Sequence, residues 1–447
     1  MSTLAEQLRS GKKIIGVWGT GYIGFSTMAN FAANGVKCVG TDISQSTVDL
    51  INHGKVPVSN MDYWLGFDVR PLVGSSMIRA TANWKELIRN EVGVHMVAVP
   101  TEKGDTPYDD ALKDVIAKIA MIKDANVTDQ PLVVIESTLT PNKTDELVVP
   151  ILSSKGLNVG EDILVGVAPR RDWFISPEKN LKTLPRIIGG TTPETTEVMK
   201  DVLGIVCDNL LPAKDHRHAE IVKCVENAYR HVEITLANQL TLAYPDIDMV
   251  EVLRLVGTKW NIGTYHPSFG TGGYCIPLAS KYVLQGTKRP ELLSILGETI
   301  STDRQLPMAV AESLVRRGAK KVGILGLAYK GDLKVHVLSP TIKLVQQLRE
   351  RGVAVKVNDP YYSPDEIKEI VGTDTFNFPE GLSEFDTILI VAGHRQYRSI
   401  PESTILDNLR NCKLVLDNIE EAWRKIDFRS RGIEYHVAGD KGWLGFI

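Results

Sequence analysis

The chain has 447 residues, of which 43% are hydrophobic and 23% charged, a composition typical of a globular protein with two or three domains. Lys and Arg number 51 and Asp and Glu 54, so the net charge is −3, and the lack of a basic excess argues against nucleic acid as a partner. The N-terminal residues lack the apolar core of a signal peptide, and no apolar run approaches the roughly 20 residues of a membrane span. We therefore expect a cytoplasmic protein with no membrane partner.

The cysteines of the chain are scattered, without a Cys-x-x-Cys pair. They are Cys38, Cys207, Cys224, Cys275 and Cys412. An odd number without regular spacing argues against both a disulfide framework and a zinc site. The sequence therefore predicts no metal site and a reducing compartment.

Strands and helices alternate in the first half of the chain. Residues 12–18 (KKIIGVW) predict a buried strand, a glycine-rich loop follows, and an amphipathic helix is expected up to Asn34. A second strand is expected over residues 36–41, directly before Asp42. Further strands are predicted at residues 94–99, 132–136 and 163–168. This alternation is typical of a doubly wound parallel sheet.

The pattern changes near Ala213, and a stretch without Gly or Pro over residues 218–244 predicts one long helix. A glycine-rich segment at residues 269–274 interrupts the helical part, and strand–helix alternation returns after Pro307. The sequence thus predicts an α/β fold with two Rossmann-like doubly wound domains joined by a long central helix and a small helical domain. The predicted boundaries are 1–212, 213–306 and 307–447.

The glycine-rich loop after the first strand, GTGYIG at residues 19–24, has the pattern of a dinucleotide-binding loop. Gly19 makes the tight turn, Gly21 lets the backbone approach the pyrophosphate, and Gly24 allows the helix to pack closely on the sheet. Asp42 follows Gly24 by 18 residues, where a carboxylate binds ribose hydroxyls and repels a 2′-phosphate. The loop therefore predicts NAD rather than NADP. The alternative is a glycine-rich turn with an incidental aspartate.

Two further groups of residues have possible catalytic chemistry. Lys223 and Asn227 lie four positions apart in the long predicted helix and share one face, where a desolvated lysine beside an amide can handle a hydroxyl proton. The alternative is a solvated helix face. The segment GTGGYC, which ends at Cys275, allows backbone N–H groups to surround an anion beside a thiol. The alternative is an inert buried cysteine.

Taken in order, the motifs of the whole chain resemble those of the UDP-glucose/GDP-mannose dehydrogenase family. The motifs are GTGYIG, VPT at residues 99–101, EST at 136–138, PRIIGG at 185–190, AEIVKCVENAYR around Lys223, GTGGYCIP around Cys275, GLAYKGD around Lys330 and NDP at 358–360. The resemblance covers essentially the full length. It implies a homodimer in which the long helix forms the interface. A buried core helix is the alternative.

The resemblance implies a four-electron oxidation of the C6 primary alcohol of a nucleotide-linked sugar, with two NAD used in turn. Lys223, Asn227 and an ordered water would handle the hydroxyl proton and the oxyanion. The Cys275 thiolate would attack the aldehyde to form a thiohemiacetal, and the second oxidation would leave a thioester for hydrolysis. Thr138 resembles the active-site threonine of the family near the nicotinamide.

The resemblance also implies sets of binding residues. Those for the cofactor are Gly19, Gly21, Tyr22, Ile23, Gly24, Asp42, Pro100, Thr101 and Glu136. Those for the nucleotide-sugar substrate are Lys259, Tyr265, Phe269, Gly270, Gly273 and Lys330. Lys259 stands where the family usually has arginine, and this exchange loses bidentate hydrogen-bond geometry.

The chain departs from the family pattern at several positions. Ala279 stands in place of an aspartate four residues after the cysteine, and Arg170 in place of the glutamate that serves as base for thioester hydrolysis. Tyr274 precedes the cysteine, where the family often has a small residue or histidine, and Val337 replaces an arginine. We hypothesise an unusual substrate, or an oxidation that stops at the aldehyde. Candidate replacement groups are Arg170, Arg171, Asp172, Tyr274, Ser280, Lys281, Tyr265 and His266.

Two other functions remain open from the sequence. A 3-hydroxyacid or 6-phosphogluconate-type dehydrogenase also has a Lys and an Asn four apart on a helix behind a Rossmann domain, although it lacks the cysteine loop and the second Rossmann-like domain. A non-catalytic nucleotide-binding homologue is suggested by the missing carboxylates, while the retained Lys223, Asn227 and Cys275 argue against it.

Overall fold

The computed structural model describes residues 2–58, 61–125, 127, 129–172, 178–418 and 422–445. It divides into two compact units. The N-terminal unit comprises Met1–Glu226 and Gln285–Lys288, and the C-terminal unit comprises Asn227–Leu284 and Arg289–Ile447. None of the helices in the described ranges has both the length and the apolar character required to cross a membrane.

The N-terminal unit is built on an eight-stranded sheet with helices between the strands. The strands of this unit, including the two of a separate hairpin, are β1 (Ile14–Trp18), β2 (Cys38–Thr41), β3 (Ile78–Thr81), β4 (Val92–Val97), β5 (Glu102–Lys103), β6 (Thr106–Pro107), β7 (Leu132–Ile135), β8 (Leu164–Val167), β9 (Arg186–Gly190) and β10 (Leu210–Pro212). Its helices are α1 (Leu4–Arg9), α2 (Tyr22–Ala33), α3 (Gln45–Asn52), α4 (Met61–Leu65), α5 (Arg70–Gly74), α6 (Asp110–Ile119), α7 (Val149–Ser154) and α8 (Pro193–Leu203). Short 3-10 turns lie at Trp84–Leu87 and Ala120–Ile122, and a π turn lies at Thr144–Val148.

The strand order of the large sheet is β10-β9-β8-β7-β4-β1-β2-β3, while β5 and β6 form a separate two-stranded hairpin. The order reverses between β1 and β4, and such a switch point is where open α/β sheets bind ligands. Neighbouring strands of the large sheet pair in parallel except β8 and β9, which pair antiparallel. The fold class predicted from the sequence is confirmed, but the sheet is mixed rather than wholly parallel.

The sheet of the N-terminal unit is covered on both faces. In β1, Ile15 and Val17 belong to one apolar cluster and Ile14 and Trp18 to another, because successive side chains of a strand point to opposite faces. Every residue of β1 is buried, as expected for a central parallel strand. The loop that follows β1 is therefore held by a rigid strand.

Helix α9 (His216–Ala243) has 28 residues and belongs to both units, because the division falls after Glu226. The long helix predicted over residues 218–244 is thus confirmed. Since α9 contains no Gly or Pro, its backbone hydrogen bonds need no interruption. The three domain boundaries predicted from the sequence stay predictions.

The C-terminal unit contains a five-stranded sheet in the order β12-β11-β13-β14-β15, with every pair parallel. The strands are β11 (Lys321–Leu325), β12 (Ala354–Asn358), β13 (Thr387–Ile390), β14 (Leu414–Asp417) and β15 (Glu434–Val437). The helices are α10 (Met249–Val256), α11 (Cys275–Gly286, whose last two residues belong to the N-terminal unit), α12 (Ser294–Arg316), α13 (Pro340–Glu350), α14 (Pro364–Val371), α15 (Arg395–Arg398) and α16 (Glu402–Asn408). Short 3-10 turns lie at Pro290–Leu292, Glu380–Glu384 and Phe428–Arg431.

Pro307 lies inside α12, and the strands of the second α/β part begin after this helix. The first strand of the second α/β part is β11, and its side chains again alternate between two clusters, with Val322 and Ile324 in one and Leu325 in the other. The second Rossmann-like sheet predicted from the sequence is therefore present.

Candidate functional site

The GTGYIG loop connects β1 to α2 in the N-terminal unit. Gly19 has φ +84°, and a Cβ there would lie 2.5 Å from the carbonyl oxygen of Ala98 after β4. A Cβ on Gly24 would lie 1.8 Å from the carbonyl oxygen of Gly19. Close packing is therefore sufficient to require glycine at both positions, independently of any cofactor.

Gly21 differs from these two glycines, since it has a negative φ and a Cβ there would meet no heavy atom within 4 Å. It immediately precedes the first residue of α2, whose N-terminus directs backbone N–H groups and a partial positive charge outward. Packing does not require glycine at this position, whereas close approach of a pyrophosphate does. The loop therefore fits a dinucleotide.

Asp42 follows β2 and is held by hydrogen bonds to the loop. Its Oδ2 accepts from the backbone N–H and the hydroxyl of Thr20, each at 2.9 Å, and its Oδ1 accepts from the N–H of Ser44 at 3.0 Å. Oδ1 accepts only one of these hydrogen bonds and has a further lone-pair direction, so the contacts orient Asp42 without excluding a ribose hydroxyl. Tyr22 and Ile23 belong to the first turn of α2.

The segments that follow β4 and β7 are tied to each other. The hydroxyl of Ser137 accepts from the N–H of Val99 at 3.0 Å and donates to its carbonyl at 2.7 Å. The hydroxyl of Thr101 donates to the carbonyl of Thr138 at 2.5 Å. Pro100 is exposed between them, and the side chain of Thr138 is half-buried. These residues lie at the carboxyl ends of the strands beside the switch point.

Glu136 belongs to the interior of the unit. Its side chain is fully buried, and its carboxylate accepts from the Thr27 hydroxyl at 2.7 Å and from Arg186 at 2.6 Å. Its assignment to cofactor binding therefore stays a prediction, and its observed contacts hold α2 against β9.

Arg170, at the position of the glutamate expected from the family pattern, is also buried and contacts helix α2. Its guanidinium donates to the hydroxyls of Thr27 and Ser26, at 2.5 and 2.9 Å, and its Nε donates to Asp172 at 2.8 Å. Burial disfavours the charged guanidinium, but the carboxylates of Asp172 and Glu136 outweigh this and raise the pKa of Arg170. We call Glu136, Arg170, Asp172 and Arg186 the buried charge cluster.

Two of the candidate replacement groups, Arg170 and Asp172, thus contact each other. Burial disfavours the carboxylate of Asp172, but the Arg170 guanidinium holds the pKa of Asp172 below its usual value. Arg171 pairs with Glu226 on α9 and donates to the carbonyl of Pro185 at 3.0 Å. Within the described residues, these three side chains have structural partners rather than an evident role in water activation.

Glu220 lies one turn before Lys223 on α9, where Lys223 itself is half-buried. Glu220 is fully buried and accepts from the backbone N–H groups of Asn142 and Thr144, at 3.1 and 3.0 Å, at the start of the π turn. Burial raises the pKa of Glu220 to about 7, and the hydrogen bonds oppose this only in part. The folded chain therefore binds a proton here that the unfolded chain releases near pH 4.5.

This difference makes the stability of the N-terminal unit depend on pH. Because the pKa of Glu220 is higher in the folded state, its stabilising contribution is fully present below about pH 4.5 and is lost as the pH rises through about 7. Between pH 5 and pH 8, wild type is expected to lose about 2 to 3 kcal/mol more unfolding free energy than Glu220→Gln. Urea unfolding at both pH values measures this, with the exposed Glu146→Gln as control. Equal pH slopes in wild type and Glu220→Gln would contradict the prediction.

In the C-terminal unit, Cys275 is the first residue of α11 and follows the glycine-rich loop. It is exposed, whereas the other four cysteines are buried, and burial raises the pKa of Cys224 and of Cys412 to about 12. All five are free thiols. Since a thiolate is the reactive form and a helix N-terminus favours negative charge, Cys275 has the best position for nucleophilic chemistry.

The loop before Cys275 is fixed by contacts with three parts of the C-terminal unit. The N–H of Phe269 donates to the side chain of Asn418 at 3.0 Å, and the N–H of Gly273 donates to the carbonyl of Val337 at 2.8 Å. The ring of Tyr329 lies so close that a Cβ on Gly273, where φ is +87°, would be 2.9 Å from it. Gly270 also has positive φ. The loop thus needs its glycines both for conformation and for close packing.

Behind Cys275, the position expected to hold aspartate is the buried Ala279, and the next residue, Ser280, contacts His231 on α9. The Oγ of Ser280 is 3.0 Å from Nδ1 of His231.

Asp303 on α12 accepts from the N–H of Thr271 at 2.7 Å and lies 3.7 Å from Nε2 of His231. His231 and Asp303 were not predicted from the sequence. His231 follows Asn227 by four residues, and this spacing was the only available signal.

The loop after β11 includes Lys330, whose side chain is half-buried. Asp359 orders the start of this loop by accepting from the N–H groups of Leu327 and Ala328, at 2.8 and 2.9 Å, while His394 lies 3.0 Å from the same oxygen. Since Asp359 belongs to the NDP motif, the motif has a structural role in placing the lysine loop.

The predicted substrate residues Lys259, Tyr265 and Phe269, and the candidate replacement group His266, lie between α10 and Cys275. Lys259 and His266 are exposed, and Tyr265 is half-buried. Burial, together with a hydrogen bond to Glu233 on α9, raises the pKa of Tyr265. Phe269 is fully buried and stacks on Trp443 with ring centroids 6.0 Å apart. The side chain of Phe269 therefore supports the loop, and a substrate role for its backbone stays a prediction.

No group of three or more His, Cys, Asp or Glu side chains suited to a metal occurs in the described ranges.

The matches to known proteins cover most of the chain. Models of the UDP-glucose/GDP-mannose dehydrogenase family match as the NAD binding domain over residues 13–205, the central domain over 217–301 and the UDP binding domain over 323–420. Protein CapL of Staphylococcus aureus is 29% identical over 417 residues, which cover 90% of this chain and 95% of CapL. UDP-N-acetyl-D-mannosamine dehydrogenase of Pyrococcus horikoshii is 27% identical over 418 residues, with coverage of 90% and 94%. A solved structure of UDP-D-ManNAc dehydrogenase from Pyrococcus horikoshii superposes with a TM-score of 0.81 at 25% identity, covering 95% of this chain and 99% of that one.

Proposed function

The chain belongs to the UDP-glucose/GDP-mannose dehydrogenase family and is an NAD-dependent nucleotide-sugar dehydrogenase, and on this premise we propose that it oxidises the C6 alcohol of a UDP-linked N-acetylhexosamine to the uronate. The UDP part of the proposal rests on the match of the UDP binding domain, and the N-acetylhexosamine part on the relatives named above. The match over residues 323–420 also includes the domain that a 3-hydroxyacid dehydrogenase lacks.

The cofactor would be held by the N-terminal unit. Gly21 and the N-terminus of α2 would bind the pyrophosphate, and Asp42 would accept hydrogen bonds from the ribose hydroxyls. Pro100, Thr101 and the segment at Glu136 would border the remainder. When bound, NAD⁺ accepts a hydride in each of the two oxidation steps.

The first oxidation would convert the C6 alcohol to the aldehyde. Lys223 and Asn227, one helical turn apart on α9, would bind the hydroxyl and the developing oxyanion, and the hydroxyl proton would pass to Lys223 or to a water that it binds. Thr138 would help to position the reacting carbon. Lys330 and Lys259 would balance the charge of the two phosphates.

The second oxidation would begin with attack of the Cys275 sulfur on the aldehyde carbon, which forms a C–S bond and a thiohemiacetal. Loss of a hydride and a proton from this adduct gives a thioester, and attack of water then breaks the C–S bond to release the carboxylate and restore the thiol. The single observation that supports this scheme best is the exposed Cys275 at the N-terminus of α11, in contrast to the four buried cysteines.

A second candidate reaction is an oxidation that stops at the aldehyde. Arg170 has its partners in the buried charge cluster, and Ala279 has no titratable group. The two carboxylates that the family resemblance implies for hydrolysis are therefore absent from these positions. Without water activation the thioester would persist or would not form.

The stoichiometry of NADH decides between these reactions. We expect two NADH and one carboxylate for each nucleotide sugar consumed, measured by absorbance and mass spectrometry over UDP- and GDP-linked sugars with and without N-acetyl groups. One NADH with an aldehyde product would favour the second candidate. No turnover and no thermal shift with any nucleotide sugar would contradict an enzymatic function, and a thermal shift without turnover would support a non-catalytic homologue.

We also propose that the enzyme is a cytoplasmic homodimer. Tyr229 and Leu236, seven residues apart on α9, are exposed although apolar, and Trp260 after α10 is 91% exposed. Such a surface is typical of an interface. The five free thiols fit a reducing compartment.

A further inference from the structure

His231 is a buried imidazole that the catalytic scheme above does not use. It lies on α9 one turn beyond Asn227, and its side chain is 1% exposed. Its Nε2 is buried and, among the described residues, has no hydrogen-bond partner. An unsatisfied buried nitrogen costs free energy, so its position between two helices calls for an explanation other than packing.

Asp303 determines which nitrogen of His231 binds the proton. Its Oδ2 is 3.7 Å from Nε2, and a carboxylate attracts an N–H and repels a bare lone pair. The favoured neutral tautomer therefore has its proton on Nε2, and Nδ1 accepts the hydroxyl proton of Ser280 at 3.0 Å. His231 thus connects α11 to α12 through two polar contacts of defined direction.

These contacts hold Cys275 from both sides along the chain. Thr271, four residues before the cysteine, donates its N–H to Asp303 at 2.7 Å. Ser280, five residues after the cysteine, contacts His231 directly. The segment between the two anchors contains Cys275, so a change at the imidazole affects both ends of the segment.

We propose that His231 is a positioning residue that, through Ser280 and Asp303, fixes the sulfur of Cys275 for attack on the aldehyde. The inference rests on the proposed function, in which Cys275 is the nucleophile. Ser280 directly follows Ala279, where the family resemblance implies an aspartate. The imidazole thus anchors α11 next to the position that lacks the carboxylate.

Alkylation by iodoacetamide tests the proposal without a nucleotide sugar. Cys275 is the exposed thiol, so the rate in folded protein reports on it, and Cys275→Ala provides the blank. We expect His231→Ala to lower the rate by at least about threefold, because a displaced sulfur loses the favourable field at the N-terminus of α11. His231→Gln, which retains one donor and one acceptor, is expected to restore most of the rate.

Steady-state kinetics give a second readout that a purely structural role would not produce. We expect kcat to fall roughly 100-fold in His231→Ala with KM within about twofold, because misplacement of a reacting atom affects the chemical step rather than binding. His231→Gln should recover part of kcat. Ser280→Ala, which removes only the α11 contact, should lower both the alkylation rate and kcat, and it keeps the proposal testable if His231→Ala fails to fold.

The matched control is Thr235→Val, one turn further along the same face of α9. Thr235 is buried, and its hydroxyl has no hydrogen-bond partner in the part of the chain that the structure describes. Wild-type rates in this variant support the proposal. Equal losses in Thr235→Val, or wild-type alkylation in folded His231→Ala and Ser280→Ala, overturn it. A wild type without turnover contradicts the proposed function, and alkylation still decides the role of His231.

Discussion

Replacing Cys275 by alanine is expected to lower the rate of uronate formation by at least about 1,000-fold. The aldehyde would then lack the sulfur that converts it into an oxidisable adduct, and no other cysteine of the chain is exposed. The rate is measured as carboxylate formed per enzyme by mass spectrometry, together with NADH release.

The matched control is Cys412→Ala, which removes a buried thiol of the same unit. It is expected to change kcat by less than about twofold and to lower stability by about 1 kcal/mol, through loss of a small buried group. Uronate formation at the wild-type rate by Cys275→Ala would rule out covalent catalysis by this residue. Release of one NADH per aldehyde by the variant would instead separate the two oxidations.

Replacing Arg170 by methionine is expected to lower the unfolding free energy by about 3 to 5 kcal/mol. The exchange keeps most of the side-chain volume but leaves Asp172 as a buried carboxylate without its cation, and it removes hydrogen bonds to Ser26 and Thr27 on α2. Urea or thermal unfolding measures the change. We also expect weaker NAD binding, because the first turn of α2 follows the cofactor loop directly.

Arg79→Met serves as the surface comparison in the same unit. Arg79 is largely exposed and pairs with Glu86 at 2.6 Å, so its loss is expected to cost less than about 1 kcal/mol. Similar losses in the two variants would show that burial does not increase the importance of Arg170. Wild-type stability in Arg170→Met would contradict the role assigned to the buried charge cluster.

The features that could be predicted from the sequence have local signals. The loop at Gly19–Gly24 lies between a uniformly apolar strand and a helix, and all three parts are encoded within 20 residues. The long helix α9 could be predicted because 26 of its residues, 218–243, fall in a stretch without a helix breaker. The parallel strands of both sheets have β-branched apolar runs that few other elements have.

The features that could not be predicted depend on contacts between distant residues. Nothing in the residues around Arg170 shows that its guanidinium contacts Thr27, 143 residues earlier. The contact between His231 and Ser280 spans 49 residues in the same way. Strand β9 pairs antiparallel with β8, but its apolar residues have no pattern that encodes direction. At position 170, the family resemblance implies a glutamate near the reacting groups. The arginine that this chain has there lies in the interior instead.

The buried charge cluster also limits how this chain can evolve. Glu136 and Asp172 balance Arg170 and Arg186, so the cluster has no net charge. Introducing glutamate at position 170 would leave three carboxylates around one guanidinium in a place closed to water. We therefore expect Arg170→Glu alone to destabilise the N-terminal unit. A compensating change at Glu136 or Asp172 would have to precede it, so the cluster constrains the order in which such substitutions are tolerated.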